Sequence, residues 1–477
     1  MKKEAYTPTI GLEVHAELKT ETKMFCGCKN APHDSEPNIH TCPICMGHPG
    51  TLPMVNEQAV RHVLLVGRAL EANLATFTEF DRKNYFYPDI PKGYQISQFA
   101  YPLVSKGSLA GVSITRVHLE EDTARSVHDK ADGSLIDYNR AGVPLMELVT
   151  EPVIHDAKTA GNFARELQLL LRTLGVSDAN MERGEMRVEV NISVSASDSF
   201  GTKVEIKNLN SFRSVESAIA YEIDRQIELI ESGGVVVQET RGWDEIGRKT
   251  VSQRKKESSH DYRYFPDPDI PKFSTQEVPE LTLSRLDEIM PETPSKLREK
   301  FANLGLPNNI VEILVTDDTA ARFYEEVIRE LESMRKSVSD DERKKVAHFL
   351  TTDLLGFLAK EQITLEKASA KSFAELMSLA FEGVVTTRVV KDLLPEVVLN
   401  NLSARQVVEE RGLLQGAVGA DFGSLVDEVL AEHQSVVLEY KNGKEAALQF
   451  LVGQLMKKTR GAADPASIKA ALIEKIS

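Results

Sequence analysis

A chain of 477 residues is too long for a single hydrophobic core and implies two to four domains. Hydrophobic residues make up 42% of it, and no apolar run approaches the roughly 18 residues of a membrane helix, so no spanning helix is expected. The net charge of −15 argues against indiscriminate nucleic-acid binding, which needs a strong positive field, but leaves room for a local basic patch. The opening MKKEAYTPTIGLEVH has two lysines and no apolar h-region. No signal peptide is therefore expected, and a cytoplasmic protein is the simplest reading.

The first strand, TIGLEVHAEL, alternates. A period of two puts Glu13, His15 and Glu17 on one face and Ile10, Leu12, Val14 and Ala16 on the other. That pattern fits a ligand-bearing strand or merely a half-exposed one. Four cysteines follow within 20 residues: Cys26 and Cys28 as C-x-C, then Cys42 and Cys45 as C-P-I-C. Two such knuckles suit a closed, structural zinc site, with disulfides or unligated thiols as alternatives and His33, His40 and His48 as spare donors. Residues 80–103, FDRKNYFYPDIPKGYQISQFAYPL, set Arg82, Lys83 and Lys92 among Tyr85, Phe86, Tyr87, Tyr94 and Phe99. Such a mixture holds phosphates and stacks on bases, or pins a loop with aromatic anchors.

The segment RVHLEEDTAR supplies His118, Glu120, Glu121 and Asp122. Three consecutive acids are costly to hold together without a cation, and oxygen donors with an imidazole suit Mg²⁺ or Mn²⁺. Residues 136–152, IDYNRAGVPLMELVTEP, set Asp137, Asn139, Arg140, Glu147 and Glu151 in an apolar frame turned at Gly142 and Pro144, which marks a site. Two helices interrupt the strands. One carries Phe163, Leu167, Leu170, Leu171 and Leu174; the other carries Val215, Ile219, Ile223, Ile227 and Ile230. Before the second, Lys207, Asn208 and Asn210 precede Ser211 or Ser214, giving either a phosphate site or simple capping.

A proline-rich passage at residues 266–294 closes this α+β half. Helical patterns dominate 295–400, and a third unit covers 401–477. Residues 440–477 carry seven Lys or Arg against three acids, about +4 in an acidic protein.

The signature at 136–152, the cysteine segment, residues 80–103, EIKNLNSFRSVESAI and the tract with Arg241, Arg254, Lys256, Asp261, Tyr262 and Arg263 together resemble the B subunit of the tRNA-dependent amidotransferase. The resemblance implies an α+β fold: a mixed cradle domain (1–294) with the cysteine knuckle, an all-helical domain (295–400) and a small helical tail domain (401–477) contacting tRNA. It implies conversion of Glu-tRNA(Gln) to Gln-tRNA(Gln), and of Asp-tRNA(Asn) to Asn-tRNA(Asn) in many members. ATP and Mg²⁺ would serve the phosphorylation, with Zn²⁺ as a structural ion. Carried over, Glu13, His15, Glu121 and Glu147 hold Mg²⁺, with Glu120 as the alternative to Glu121. Arg140 and Lys207 would stabilise the transferring phosphoryl group, and Asn139, Lys83, Asn208 and Arg263 would bind the cofactor. Two positions depart from the family pattern: Glu189 stands where an aspartate is usual, and Arg183 where an acid is. The chain has no G-x-x-x-x-G-K-[ST] loop, no Gly/Ser-rich amidase signature and no Cys-His glutaminase pair. An outside source of ammonia is therefore expected, and the resemblance implies that it is glutamine, through an amidase A subunit and a small C subunit in a heterotrimer acting on misacylated tRNA.

Overall fold

The structure is a computed structural model that describes residues 5–33, 35–130, 133–255, 262–414, 422–459, 463 and 465–476. It divides into two compact units, Met1–Thr293 and Pro294–Ser477. In the first unit nine strands matter to the site: β1 (Thr7–Glu17), β2 (Asp81–Asn84), β3 (Tyr94–Ser97), β4 (Val112–Glu121), β5 (Pro144–Thr150), β6 (Met186–Ser195), β7 (Val204–Leu209), β8 (Glu239–Asp244) and β9 (Lys249–Lys255). They lie in one mixed sheet in the order β9-β8-β7-β6-β1-β5-β4-β3-β2. The pairs are antiparallel except β7–β8, which are parallel and need a crossover helix between them.

That crossover is α3 (Phe212–Glu231), which packs on the sheet beside α2 (Ala157–Thr173) and shares the unit's core with α1 (Glu57–Ala69). The apolar half of β1 meets this helical layer: Ile10, Leu12, Val14 and Ala16 are fully buried with Phe163, Leu167, Leu171, Val215 and Ile219. Each of these side chains larger than alanine contributes roughly 1.5–3 kcal/mol of transfer free energy. The helices start where their caps dictate. Asp156 accepts from the Thr159 amide at 2.8 Å, and Ser211, rather than Ser214, is the α3 cap, accepting from the Ser214 amide at 3.0 Å. With the helices covering one face, the opposite face of the sheet is left for polar side chains.

The second unit is helical. α4 (Asp318–Met334) packs on α5 (Ala370–Phe381), which packs in turn on α6 (Thr387–Leu399). The edge-to-face pair Phe323–Phe373 lies in that core at 5.9 Å. Further along, α7 (Phe422–Glu432), α8 (Glu445–Lys458) and α9 (Pro465–Ile476) bury a separate cluster that includes Val429, Leu451, Leu455, Ile468 and Leu472. Among the described residues no helix is long and apolar enough to cross a membrane.

Candidate active site and cysteine centre

Strand register assembles the site on the polar face. One transverse row reads Arg187–His15–Glu147–His118 across β6, β1, β5 and β4. The neighbouring rows place Glu189 beside Glu13, and Leu145 beside Glu120. These rows line a cleft of about 640 Å³, whose other walls include Lys83, Tyr85, Tyr262, Tyr264 and Lys207.

Glu147 is the hub. Its carboxylate lies 3.4 Å from His15 Nε2, 3.6 Å from His118 Nε2 and 3.4 Å from Arg116 Nη2. His15 Nε2 is also 3.7 Å from Glu120 and 3.8 Å from Glu13. Two overlapping triads can each converge on one ion: Glu13, His15, Glu147, and His118, Glu120, Glu147. Burial, reinforced by the charge of Glu147, pushes the Glu13 carboxyl up to about 7. Burial would lower His15, but the hydrogen bond and charge of Glu147, with help from Glu120 and Glu13, push it up to about 9. Burial holds His118 down at about 4, so it stays a neutral donor. Protons are thus favoured on Glu13 and His15, while Glu147 is held well below the usual carboxylate range, against burial, by its two imidazole neighbours and Lys83. The cluster's oxygen-rich donors, with two imidazoles, fit Mg²⁺ or Mn²⁺ better than zinc.

At one side of the cleft Lys207 Nζ lies 2.8 Å from Glu189, within reach of the Glu13 carboxylate's field. At the other, Lys83 sits among aromatic rings, its ammonium 5.8 Å from the Tyr85 centroid and 5.1 Å from that of Tyr262. Phe99 and Tyr264 stack at 4.2 Å beside it.

The four cysteine sulfurs lie within 4.8 Å of one another. A tetrahedral zinc with Zn–S bonds near 2.3 Å has sulfurs about 3.8 Å apart, so the cluster fits the ion. A wholly buried Lys23 supports it, its Nζ 3.9 Å from Cys45 Sγ and 3.1 Å from the Tyr138 carbonyl. A lysine buried against thiols makes sense if they are thiolates. Hydrogen bonding from Cys26, together with Lys23, holds the Cys45 thiol down to about 4. Of the spare histidines, His33 is bonded to Glu17 at 2.8 Å and His40 to Ser35 at 2.9 Å. Gly142 passes close by in a left-handed turn (φ +86°), where an added Cβ would meet Cys45 and the Lys23 stem.

Comparison with known proteins identifies the family. The family described as GatB/GatE catalytic domain matches residues 8–278, and that described as GatB domain matches 329–476. The B subunit of the aspartyl/glutamyl-tRNA(Asn/Gln) amidotransferase of Crocosphaera subtropica is 41% identical over 97% of this chain and 96% of its own length. The protein of the same name from Moorella thermoacetica is 41% identical over 99% of this chain and all of its own. That of Picosynechococcus is 40% identical over the whole chain and 98% of its own. The chain belongs to the family of amidotransferase B subunits.

Within this family member the residues singled out from the sequence fall in different places. Glu13, His15, Glu120, Glu147, Lys83 and Lys207 line the cleft. Glu121 does not. On β4 the period of two turns Glu120 to the cleft and Glu121 to the other side, where its carboxylate accepts from Lys92 Nζ at 2.6 Å and the Ile96 amide at 2.9 Å. It faces a smaller cavity of about 240 Å³ shared with Cys45 and Gly142. Asn139 is fully buried away from the cleft, accepting from the His40 amide at 2.8 Å and donating to the Glu36 carbonyl at 2.7 Å. Arg140 lies outside the cleft wall, donating to the carbonyls of Thr123 (2.9 Å) and Ala124 (3.1 Å). Asn208 and Arg263 are exposed, left-handed backbone positions (φ +64° and +44°) that are not among the cleft lining. Lys256, Asp261, Arg460 and Asp464 lie outside the described residues. His118, grouped with the acids in the sequence but given no ligand role, belongs to the cluster, as its spacing of two from Glu120 could have indicated. Arg116 and Arg187 were missed because only strand pairing brings them to Glu147 and Asp122.

Proposed function

We propose that this chain activates the side-chain carboxylate of misacylated Glu-tRNA(Gln), Asp-tRNA(Asn) or both, by ATP-dependent phosphorylation. It then converts the activated carboxylate to the amide with ammonia from a glutaminase partner. The observation that carries this reading is the convergence of Glu13, His15, His118, Glu120 and Glu147 on the floor of one cleft in a chain of this family. In this reading the chain works in a heterotrimer with an amidase A subunit and a small C subunit, as the family resemblance implies, and the absence from the sequence of an amidase signature or a Cys-His glutaminase pair supports an outside source of ammonia. Mg²⁺ would be held by Glu13, His15, Glu120 and Glu147, and Zn²⁺ by Cys26, Cys28, Cys42 and Cys45. Mg²⁺ supplies charge neutralisation on phosphate oxygens.

The residues then have distinct tasks. Lys207 and Lys83 place positive charge on opposite sides of the cleft, where the transferring phosphoryl group gains its electrostatic stabilisation. Tyr85, Tyr262 and Tyr264 offer faces against which a base or ribose packs and water is excluded. The substrate carboxylate attacks the γ-phosphorus, ADP leaves, and an acyl phosphate results. Ammonia attacks the acyl carbon, the bond to phosphate breaks, and a proton leaves the nitrogen as the amide forms. The test is ATP hydrolysis by the assembled enzyme with and without Glu-tRNA(Gln). Stimulation by the misacylated tRNA, abolished by Glu147→Gln while the partner's glutaminase activity persists, is expected. Tight tRNA binding without stimulation would make the chain a tRNA-binding scaffold.

A further inference from the structure

A second opening adjoins the cleft and has no part in the chemistry above. It measures about 390 Å³, a volume suited to a nucleotide-sized ligand, and is lined by His33, Arg125, Arg140, Glu182, Arg183 and Asn210 among others. Of its ionisable lining residues, three are arginines and one is a histidine, against one carboxylate. The acids that accompany the cations sit behind the lining. Arg183 Nε is 3.2 Å from Glu185, and His33 is bonded to Glu17 at 2.8 Å. Arg140 donates to the carbonyls of Thr123 and Ala124. The nearest carboxylate to it, Asp122 at 3.6 Å, is bonded by Arg187 at 2.9 Å, so one anion is shared between two guanidiniums. Planar guanidinium forks match phosphate oxygens better than any other side chain.

The pocket is separated from the cleft by very little. Asp122 and Thr123 line the cleft, and Arg140 grips the same two residues from the pocket side. We infer that this pocket is an anion subsite that holds a backbone phosphodiester of the polynucleotide substrate close to its reacting 3′ end. The inference rests on the proposed function for the identity of the substrate. A polynucleotide lying across the Asp122–Thr123 wall would leave its terminal aminoacyl group over Glu147 and a preceding phosphate among Arg125, Arg140 and Arg183. Holding the chain on both sides of the wall would fix the reacting carboxylate by position rather than by contacts to the small amino-acid side chain. Asn210 adds an amide able to donate to the same phosphate or to a neighbouring ribose.

The test uses Arg125→Ala, Arg183→Ala and the double variant in the complete enzyme with its partner subunits. Both positions lie in or beside surface turns and carry no core packing, and Arg183→Lys provides a conservative control. Three readings are taken: KM and kcat for misacylated tRNA in tRNA-dependent ATP hydrolysis, the salt dependence of tRNA affinity, and inhibition by added inorganic phosphate. Each single change is expected to raise the tRNA KM by about tenfold, the loss of one charge-assisted contact. It should lower the slope of log affinity against log salt by about 1, with kcat moved less than about twofold. Arg183→Lys should recover much of the affinity. Unchanged KM and unchanged salt slope overturn the inference. Altered inhibition by inorganic phosphate with unaltered tRNA affinity also overturns it, and makes the pocket a site for the released product. If the unaltered enzyme shows no tRNA-stimulated hydrolysis, the proposed function has failed. Direct titration of tRNA then reads the subsite alone: a weaker complex in the variants sustains it and an equal one rejects it.

Discussion

Replacing Glu13 by Gln should make the metal-free protein more stable while destroying its activity. In the absence of a cation, Glu13 lies beside Glu147 and Glu189 and is pushed up from 4.5 to about 7, by burial first and then by the charge of Glu147, against His15 and Lys207. The sign follows from which state ionises first. Below pH 4.5 both states are protonated and nothing is lost. Between pH 4.5 and 7 the unfolded chain ionises while the folded one does not, so stability falls. Above pH 7 the full penalty is present. A shift of that size corresponds to roughly 3 kcal/mol. The side chain is 29% exposed, so screening reduces this to about 2 kcal/mol. For a unit of this size that is a rise in Tm of roughly 5 °C. The assay is thermal or urea unfolding of EDTA-treated protein at about pH 5 and about pH 8, on either side of the folded-state value. The variant should exceed the parent under the alkaline condition and match it more closely under the acidic one. Added Mg²⁺ should raise the Tm of the parent and much less that of the variant. Equal stability under the alkaline condition, or a gap that ignores both pH and Mg²⁺, would refute the account of this cluster as a cation site.

The two glutamates at the end of β4 should separate cleanly. Glu120→Gln should abolish the Mg²⁺-dependent rise in Tm and cut tRNA-dependent ATP hydrolysis by about 100-fold, whereas Glu121→Gln should leave the Mg²⁺ response intact because its carboxylate is bonded to Lys92 on the other side of the sheet. Elemental analysis should find one zinc per chain, and stripping it should lower the Tm of the protein, because Cys26, Cys28, Cys42 and Cys45 then crowd together without the ion that ties them; native protein whose four thiols react at once with a thiol reagent would argue the reverse. His62, buried in α1 and held down to about 4 by burial and by Arg61, is neutral in the folded protein. Its contribution to stability is complete above pH 6.5 and is lost as pH falls from 6.5 towards 4, so His62→Leu should flatten the acid limb of the stability curve by up to roughly 3 kcal/mol, and an unchanged limb would assign that limb to other groups.

Much of the site was legible in the sequence because it is written in strands. A period of two, read from TIGLEVHAEL, put Glu13 and His15 opposite Leu12 and Val14, and the structure places them so. The same period within β4 separates Glu120 from Glu121 but cannot say which of them faces the cleft, since that depends on the pairing of Glu120 with Leu145 and Ser97. The register of β1, β5 and β6 decides that Arg187, His15, Glu147 and His118 form one row, and no local pattern carries it. The helices were readable as stripes, and their caps needed geometry: Ser211 and Ser214 are equally good candidates until the backbone shows which amide is the orphan.

The signature at residues 136–152 shows where such reasoning divides. Polar groups in an apolar frame signal a site because each must find a partner, and the partner is either a ligand or the protein itself. Glu147 is the first kind: its carboxylate lines the open cleft beside two imidazoles and a guanidinium, and Glu13 and Glu120 converge on the same imidazoles. Asn139 is the second kind. Its side chain is satisfied by His40 and Glu36, about a hundred residues earlier, and its amide by Asp137. It fastens the cysteine loop to the strand that carries Glu147, with Lys23 reaching the Tyr138 carbonyl from the other side. The cysteine centre therefore bears on the active site by fixing the entry to β5, not by contact. Loss of the zinc proposed for the cysteines should reach the cleft as a displaced Glu147, lowering the affinity proposed for Mg²⁺ before it unfolds the chain.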